Sequence, residues 1–182
     1  LAVNDLSADT VFIVDEASMV SDVYQEEEFF RFGSGYLLRD FFKFINLDHN
    51  DHIKKVIFIG DNAQLPPVGM NFSPALDEKY LLREHNYKSA SFELTEVVRH
   101  KANSGVMLNS IELRKSLDKG VFNQLTMRLD FPDVEQTSHE NLLQNYLDSC
   151  CGKINGESIV LAYSNADVTA YNRQIREYFF PN

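Results

Sequence analysis

Apolar residues along this chain fall into two rhythms, and the change from one to the other marks out the elements. Residues 11 to 14, Val-Phe-Ile-Val, form an unbroken apolar run that stops at Asp15 and Glu16. Val56-Ile57-Phe58-Ile59, behind Lys54-Lys55, repeats that arrangement ahead of Gly60-Asp61. Short runs rich in Val and Ile predict strands buried on both faces, as in a parallel sheet. Between them Leu37, Leu38, Phe41, Phe42 and Ile45 recur at helical spacing, with Arg39, Asp40 and Lys43 interleaved. That pattern predicts a crossover helix, and the roughly forty intervening residues exceed the dozen such a connection needs.

Beyond residue 70 the helical rhythm dominates. Ser73-Pro74 reads as an N-cap and first helical residue, opening a helix through Leu81 and Leu82. Residues 89 to 95 read as extended. A helix is expected from about Ser104 to Leu117, with Val106, Ile111, Leu113 and Leu117 as its apolar positions. Asp130 to His139 is polar and reads as a loop before a helix carrying Leu142, Leu143, Tyr146 and Leu147. Ile159 to Ala162 reads as another buried strand. Ser164-Asn165-Ala166-Asp167 has the form of a capping box opening a helix through Val168, Tyr171 and Ile175. Glu26-Glu27-Glu28 reads as a solvated helix face. Neither an internal repeat nor a low-complexity linker interrupts the chain.

The strand ends matter chemically, because open parallel sheets carry their ligand crevice outside the carboxyl ends of the strands. Of two adjacent carboxylates there, one can hold Mg²⁺ through water while the other orients an attacking water. A strand that merely meets solvent gives the same sequence. After Asp61 comes Asn62-Ala63-Gln64-Leu65-Pro66-Pro67-Val68-Gly69, whose proline pair forbids helix and removes two backbone donors. Such a stiff loop can hold the Gln64 amide toward a phosphate, although a rigid turn without a ligand has the same composition.

Asp-Glu-Ala-Ser-Met at 15 to 19, Gly-Asp-x-x-Gln-Leu-Pro-Pro-Val-Gly at 60 to 69, and Leu94-Thr95-Glu96-Val97-Val98-Arg99 resemble successive motifs of superfamily 1 helicases of the RecD/Dda-like branch. Ile159-Val160-Leu161-Ala162-Tyr163-Ser164-Asn165, followed by Tyr171-Asn172-Arg173-Gln174-Ile175-Arg176, resembles the opening of that family's second motor domain. The resemblance implies an α/β fold of the P-loop NTPase (RecA-like) type, a parallel sheet flanked by helices and incomplete at both ends. Residues 1–102 would be the later part of the first motor domain, and 103–182 a connecting helix and the start of the second. It implies ATP and Mg²⁺ as cofactors and single-stranded DNA as partner. Asp15 would hold the magnesium of MgATP, Glu16 would orient or activate the hydrolytic water, and Gln64 would sense the terminal phosphate beside Asp61. Arg99 would contact phosphate, a task suited to a guanidinium that is always charged and can meet two oxygens at once. Pro67, Val68, Asn71 and Phe72, with Ser164 and Asn165, would line the DNA groove.

One departure limits what the resemblance implies. No Gly-x-x-x-x-Gly-Lys-Ser/Thr occurs in the 182 residues, and the single Gly-Lys pair, Gly152-Lys153, is followed by Ile154. The expectation is a fragment of a longer helicase that alone neither hydrolyses ATP nor unwinds DNA. A non-motor interaction or nucleic-acid-binding module is the alternative, and another P-loop ATPase the third.

Composition narrows the setting. With 44% hydrophobic and 24% charged residues the chain is expected to fold rather than stay disordered. A net charge of −10 argues against a broad DNA-coating surface and leaves a narrow groove of amides, hydroxyls and stacking groups. No apolar run approaches the roughly eighteen residues of a membrane span. Cys150 and Cys151 are adjacent, poorly placed to bridge each other, and suggest reduced thiols in the cytoplasm. His49-Asn50-Asp51-His52, behind Asp48, has metal-compatible spacing but reads as a solvated loop. Asn71-Phe72-Ser73, a glycosylation triplet followed by Pro74, adds nothing without signs of secretion.

Overall fold

Strands β1 (Val11–Val14) and β2 (Lys55–Phe58) pair in parallel, Val11 opposite Lys55 and Val14 opposite Phe58, with helix α1 (Leu37–Ile45) between them in sequence. The computed structural model describes residues 4–26, 33–47, 53–96, 104–123 and 126–181. The chain divides into two compact units, Leu1–Val98 and Arg99–Asn182. Among the described residues it is mostly helical, with five α-helices and one two-stranded parallel sheet, so its class is mixed α/β at most.

In the first unit Phe12, Val14, Val56 and Phe58 turn toward one side and pack on a buried cluster of Ala17, Leu38, Phe42, Ile45, Ala75 and Leu81. Phe41 and Phe42 meet Phe58 edge-on at 6.0 and 6.2 Å between ring centroids. The alternate residues Val11, Ile13, Ile57 and Ile59 are exposed. Burial on both faces, expected from the apolar runs, is therefore wrong for these strands: the core packs on one face and the alternation of side chains leaves the other uncovered. Helix α1 ends at Asn46 in the left-handed conformation, and the Lys54 ammonium donates to the Ile45 carbonyl at 2.9 Å, where a cation favours a helix C-terminus.

The helix expected from Ser73-Pro74 starts later. Pro74–Leu76 forms a single 3₁₀ turn, and α2 (Glu78–His85) begins behind Asp77, whose carboxylate accepts from the Tyr80 amide at 2.9 Å. Ser73 makes no side-chain cap, because Asp77 offers the stronger, charged acceptor one turn on. Residues 89–96 are exposed and contain no strand, and Glu26 is exposed outside any helix. Glu27, Glu28 and the group from Asp48 to His52 lie outside the described residues.

The second unit contains α3 (Gly105–Lys119), α4 (His139–Ser149) and α5 (Asn165–Phe179). Ser104, Ser138 and Ser164 each accept from the amide three residues on, and Gly120 closes α3 at φ 63°. Ile159 to Ala162 is not a buried strand: Ile159 and Leu161 are 79% and 84% exposed, and no described strand pairs with the segment. An apolar run becomes a strand only where a partner takes its backbone hydrogen bonds. Cys150 is buried and Cys151 exposed, both as free thiols. Among the described residues no helix is long and apolar enough to cross a membrane.

Candidate functional site at the strand ends

Parallel register places the residues after Val14 beside those after Phe58. The Ile59 amide donates to the Val14 carbonyl and the Ala17 amide to the Ile59 carbonyl, both at 2.8 Å, so the chain leaving β1 is tied to the chain leaving β2. Asp15 and Glu16 emerge exposed at this junction, and Asp15 Oδ1 accepts from the Glu16 amide at 2.9 Å. Glu16 sits at φ 53°, ψ 36°, a left-handed conformation that costs a non-glycine residue roughly 1 kcal/mol or more. The turn reverses the chain into a 3₁₀ segment, Ala17–Met19, whose Ala17 and Ser18 are wholly buried. Gly60 permits this approach: a Cβ there would lie 2.8 Å from the Ser18 amide nitrogen and 2.9 Å from Leu76 Cδ1.

Asp61 shapes the following loop, its Oδ1 accepting from the Ala63 amide at 2.9 Å and its carbonyl from the Gln64 amide at 3.0 Å. This Asx turn presents Gln64 exposed, three residues beyond the junction. Pro67 to Met70 form a second turn, closed by the Met70 amide on the Pro67 carbonyl at 3.0 Å with Gly69 at φ 79°, the geometry of a type II turn. Its corner residue Val68 is 84% exposed.

The structure thus places Asp15 and Glu16 directly after β1 and Asp61 shortly after β2, at adjoining strand ends, with Gln64 in the loop beyond Asp61. Of the expected DNA-groove residues in this unit, Val68 and Asn71 are exposed, Pro67 is buried, and Phe72 is half-buried with its ring 5.3 Å from that of Tyr80. In the second unit the Ser164 hydroxyl caps α5, accepting from the Asp167 amide and donating to its carboxylate at 2.6 Å, and Asn165 is exposed at the first position of the helix. Arg99 lies outside the described residues.

Asp22, which sequence reasoning missed, joins three side chains of the first unit. Its wholly buried carboxylate accepts from Arg39 Nε at 3.0 Å and the Tyr80 hydroxyl at 2.8 Å, and lies 2.9 Å from His85 Nε2. Burial, aided by the bond to Asp22, pushes the Tyr80 phenol up to about 12, and the same carboxylate raises the Arg39 guanidinium. The partners stand 17, 58 and 63 residues from Asp22, beyond the reach of any local pattern.

The described residues contain no group of three or more His, Cys, Asp or Glu that could hold a metal. Magnesium in phosphate-handling sites needs fewer, since it is held by one or two carboxylates and completed by water and phosphate oxygens. The exposed Asp15 fits that requirement. No protein-family model matches the chain, and no curated protein matches it significantly.

Proposed function

We propose that this chain is part of an ATP-dependent DNA helicase or translocase of the RecD/Dda-like branch of superfamily 1, with a RecA-like P-loop NTPase fold. The observation that supports the reading is that Asp15-Glu16 and Gly60-Asp61, with Gln64 in the loop after it, follow the adjoining carboxyl ends of two parallel strands. That is where α/β sheets bind nucleotides.

In this reading Asp15 would hold the magnesium that accompanies ATP, and the metal would supply neutralisation of phosphate charge. Glu16, thrust out by its left-handed turn, orients the attacking water and accepts its proton. Gln64 rides on the Asx turn set by Asp61, so a hydrogen bond from its amide to the terminal phosphate would pull on the loop that continues to Val68 and Asn71. Arg99 would contact phosphate, its constant positive charge binding more strongly as negative charge builds on the oxygens in the transition state. Exposed Val68 and Asn71 face single-stranded DNA, and the free thiols of Cys150 and Cys151 accord with a cytoplasmic setting.

The test is single-stranded-DNA-stimulated ATP hydrolysis by the protein expressed from its complete reading frame. Glu16→Gln and Arg99→Ala are each expected to lower kcat by about 100-fold or more. Turnover indifferent to DNA would point instead to another P-loop ATPase, and absence of nucleotide binding to a non-motor interaction module.

A further inference from the structure

Between the acid pair and α1 the chain runs as a short strap, Ser21 to Gln25, that the reaction described above does not use. Its start is continuous with the turn that carries Glu16: the Val20 amide donates to the Ala17 carbonyl at 3.2 Å. The Ser21 carbonyl accepts from the Leu38 amide and the Gln25 amide donates to the Gly35 carbonyl, each at 2.9 Å, fixing the strap along the start of α1. Asp22 pins its middle to Arg39 of α1 and to Tyr80 and His85 of α2. At its far end the Gln25 side-chain amide donates to the Val68 carbonyl at 3.0 Å.

That last bond has a specific geometric meaning. In the type II turn of Pro67 to Met70 the ring-closing bond uses the Pro67 carbonyl, so the Val68 carbonyl belongs to the central peptide and takes no part in it. Gln25 supplies the donor that holds this peptide from outside the turn. Val23 also lies against the turn, 3.8 Å from where a Cβ on Gly69 would stand.

We propose that Gln25, at the end of the Ser21–Gln25 strap, is the positioning residue that sets the exposed corner at Val68 for single-stranded DNA. The proposal rests on the motor reading above. Anchored by Asp22 and by its backbone bonds to Leu38 and Gly35, the strap gives Gln25 a fixed place from which to hold the Val68 carbonyl. The corner is then held from two sides, through Gln64 along its own chain and through Gln25 across it.

The experiment measures ATP hydrolysis by the protein from its complete reading frame against oligothymidylate concentration, for wild type, Gln25→Ala and Gln25→Glu. The glutamate keeps the side-chain length and at neutral pH removes the donor. Both variants are expected to raise the half-saturating DNA concentration about fivefold while kcat at saturating DNA stays within about twofold, the signature of one lost hydrogen bond that acts in binding. Thermal midpoints by circular dichroism should stay at the wild-type value, since Gln25 is exposed. An unchanged half-saturating concentration in both variants, or a fall in kcat that tracks a lowered thermal midpoint, would overturn the proposal. A wild type whose hydrolysis ignores DNA would sink the motor reading itself, and the proposal with it.

Discussion

In the Leu1–Val98 unit the buried side chains come from far apart in sequence, Ala17 meeting Leu38, Phe42 and Ile45 of α1 and Ala75 and Leu81 downstream. Among the described residues of the Arg99–Asn182 unit the buried apolar ones are Leu147, Cys150 and Ile175, while Val106, Leu113, Leu117, Ile159 and Leu161 stay exposed. What organises the second unit is mostly polar: serines at three helix N-termini, a glycine at one C-terminus, and Asp133 reaching back across the chain to accept from the Ser104 hydroxyl at 2.7 Å and the Gly105 amide at 2.9 Å. One unit is fixed by a buried apolar cluster around a buried carboxylate, the other by helix caps and exposed polar bonds. The difference predicts where single changes will be felt.

The largest effect belongs to Asp22. Its replacement by Ala strands the Tyr80 hydroxyl, His85 and the Arg39 guanidinium together, and is expected to destabilise the first unit by about 3 kcal/mol, measured by urea unfolding followed by circular dichroism. A cost no larger than that of a helix-cap deletion would break the comparison. Next comes alkaline pH. Because the Tyr80 phenol holds its proton more tightly in the fold, at about 12 against an ordinary 10.0, its contribution is complete below pH 10 and is lost as pH rises through 12. That loss should be on the order of 2 kcal/mol, and Tyr80→Phe should flatten the stability profile across this window. The smallest effect lies in the second unit, where Ser164→Ala should cost about 1 kcal/mol and lower the helical signal without moving the urea transition of the first unit.

How much of this was legible beforehand follows the same division. Helix α5 was readable because the Ser164–Asp167 pair is a signal confined to one turn, and α3 and α4 from the spacing of their apolar residues, whereas the Ser138 cap was missed. Strands β1 and β2 were readable as short apolar runs and helix α1 from its period. Ile159 to Ala162 has the composition of β1, yet strand identity depends on a partner that composition does not encode. Ser73 and Asp77 both carried N-cap chemistry, and only the competition between them decided where α2 begins. At the site, Asp15, Glu16, Asp61 and Gln64 were visible as motifs. Asp22 was invisible because its meaning lies in Arg39, Tyr80 and His85, none of them near it in sequence. The burial of Pro67 was hidden for the same reason, since a loop's inner side is set by what it folds against.

The left-handed turn at Glu16 puts two demands on one position. Backbone preference there favours Gly or Asn, whereas the proposed chemistry requires a carboxylate. Random substitutions sorted by resistance to heat would therefore enrich Gly and Asn over the glutamate at position 16. The same library sorted by turnover would keep the glutamate alone, so divergence between the two rankings separates residues kept for folding from those kept for work.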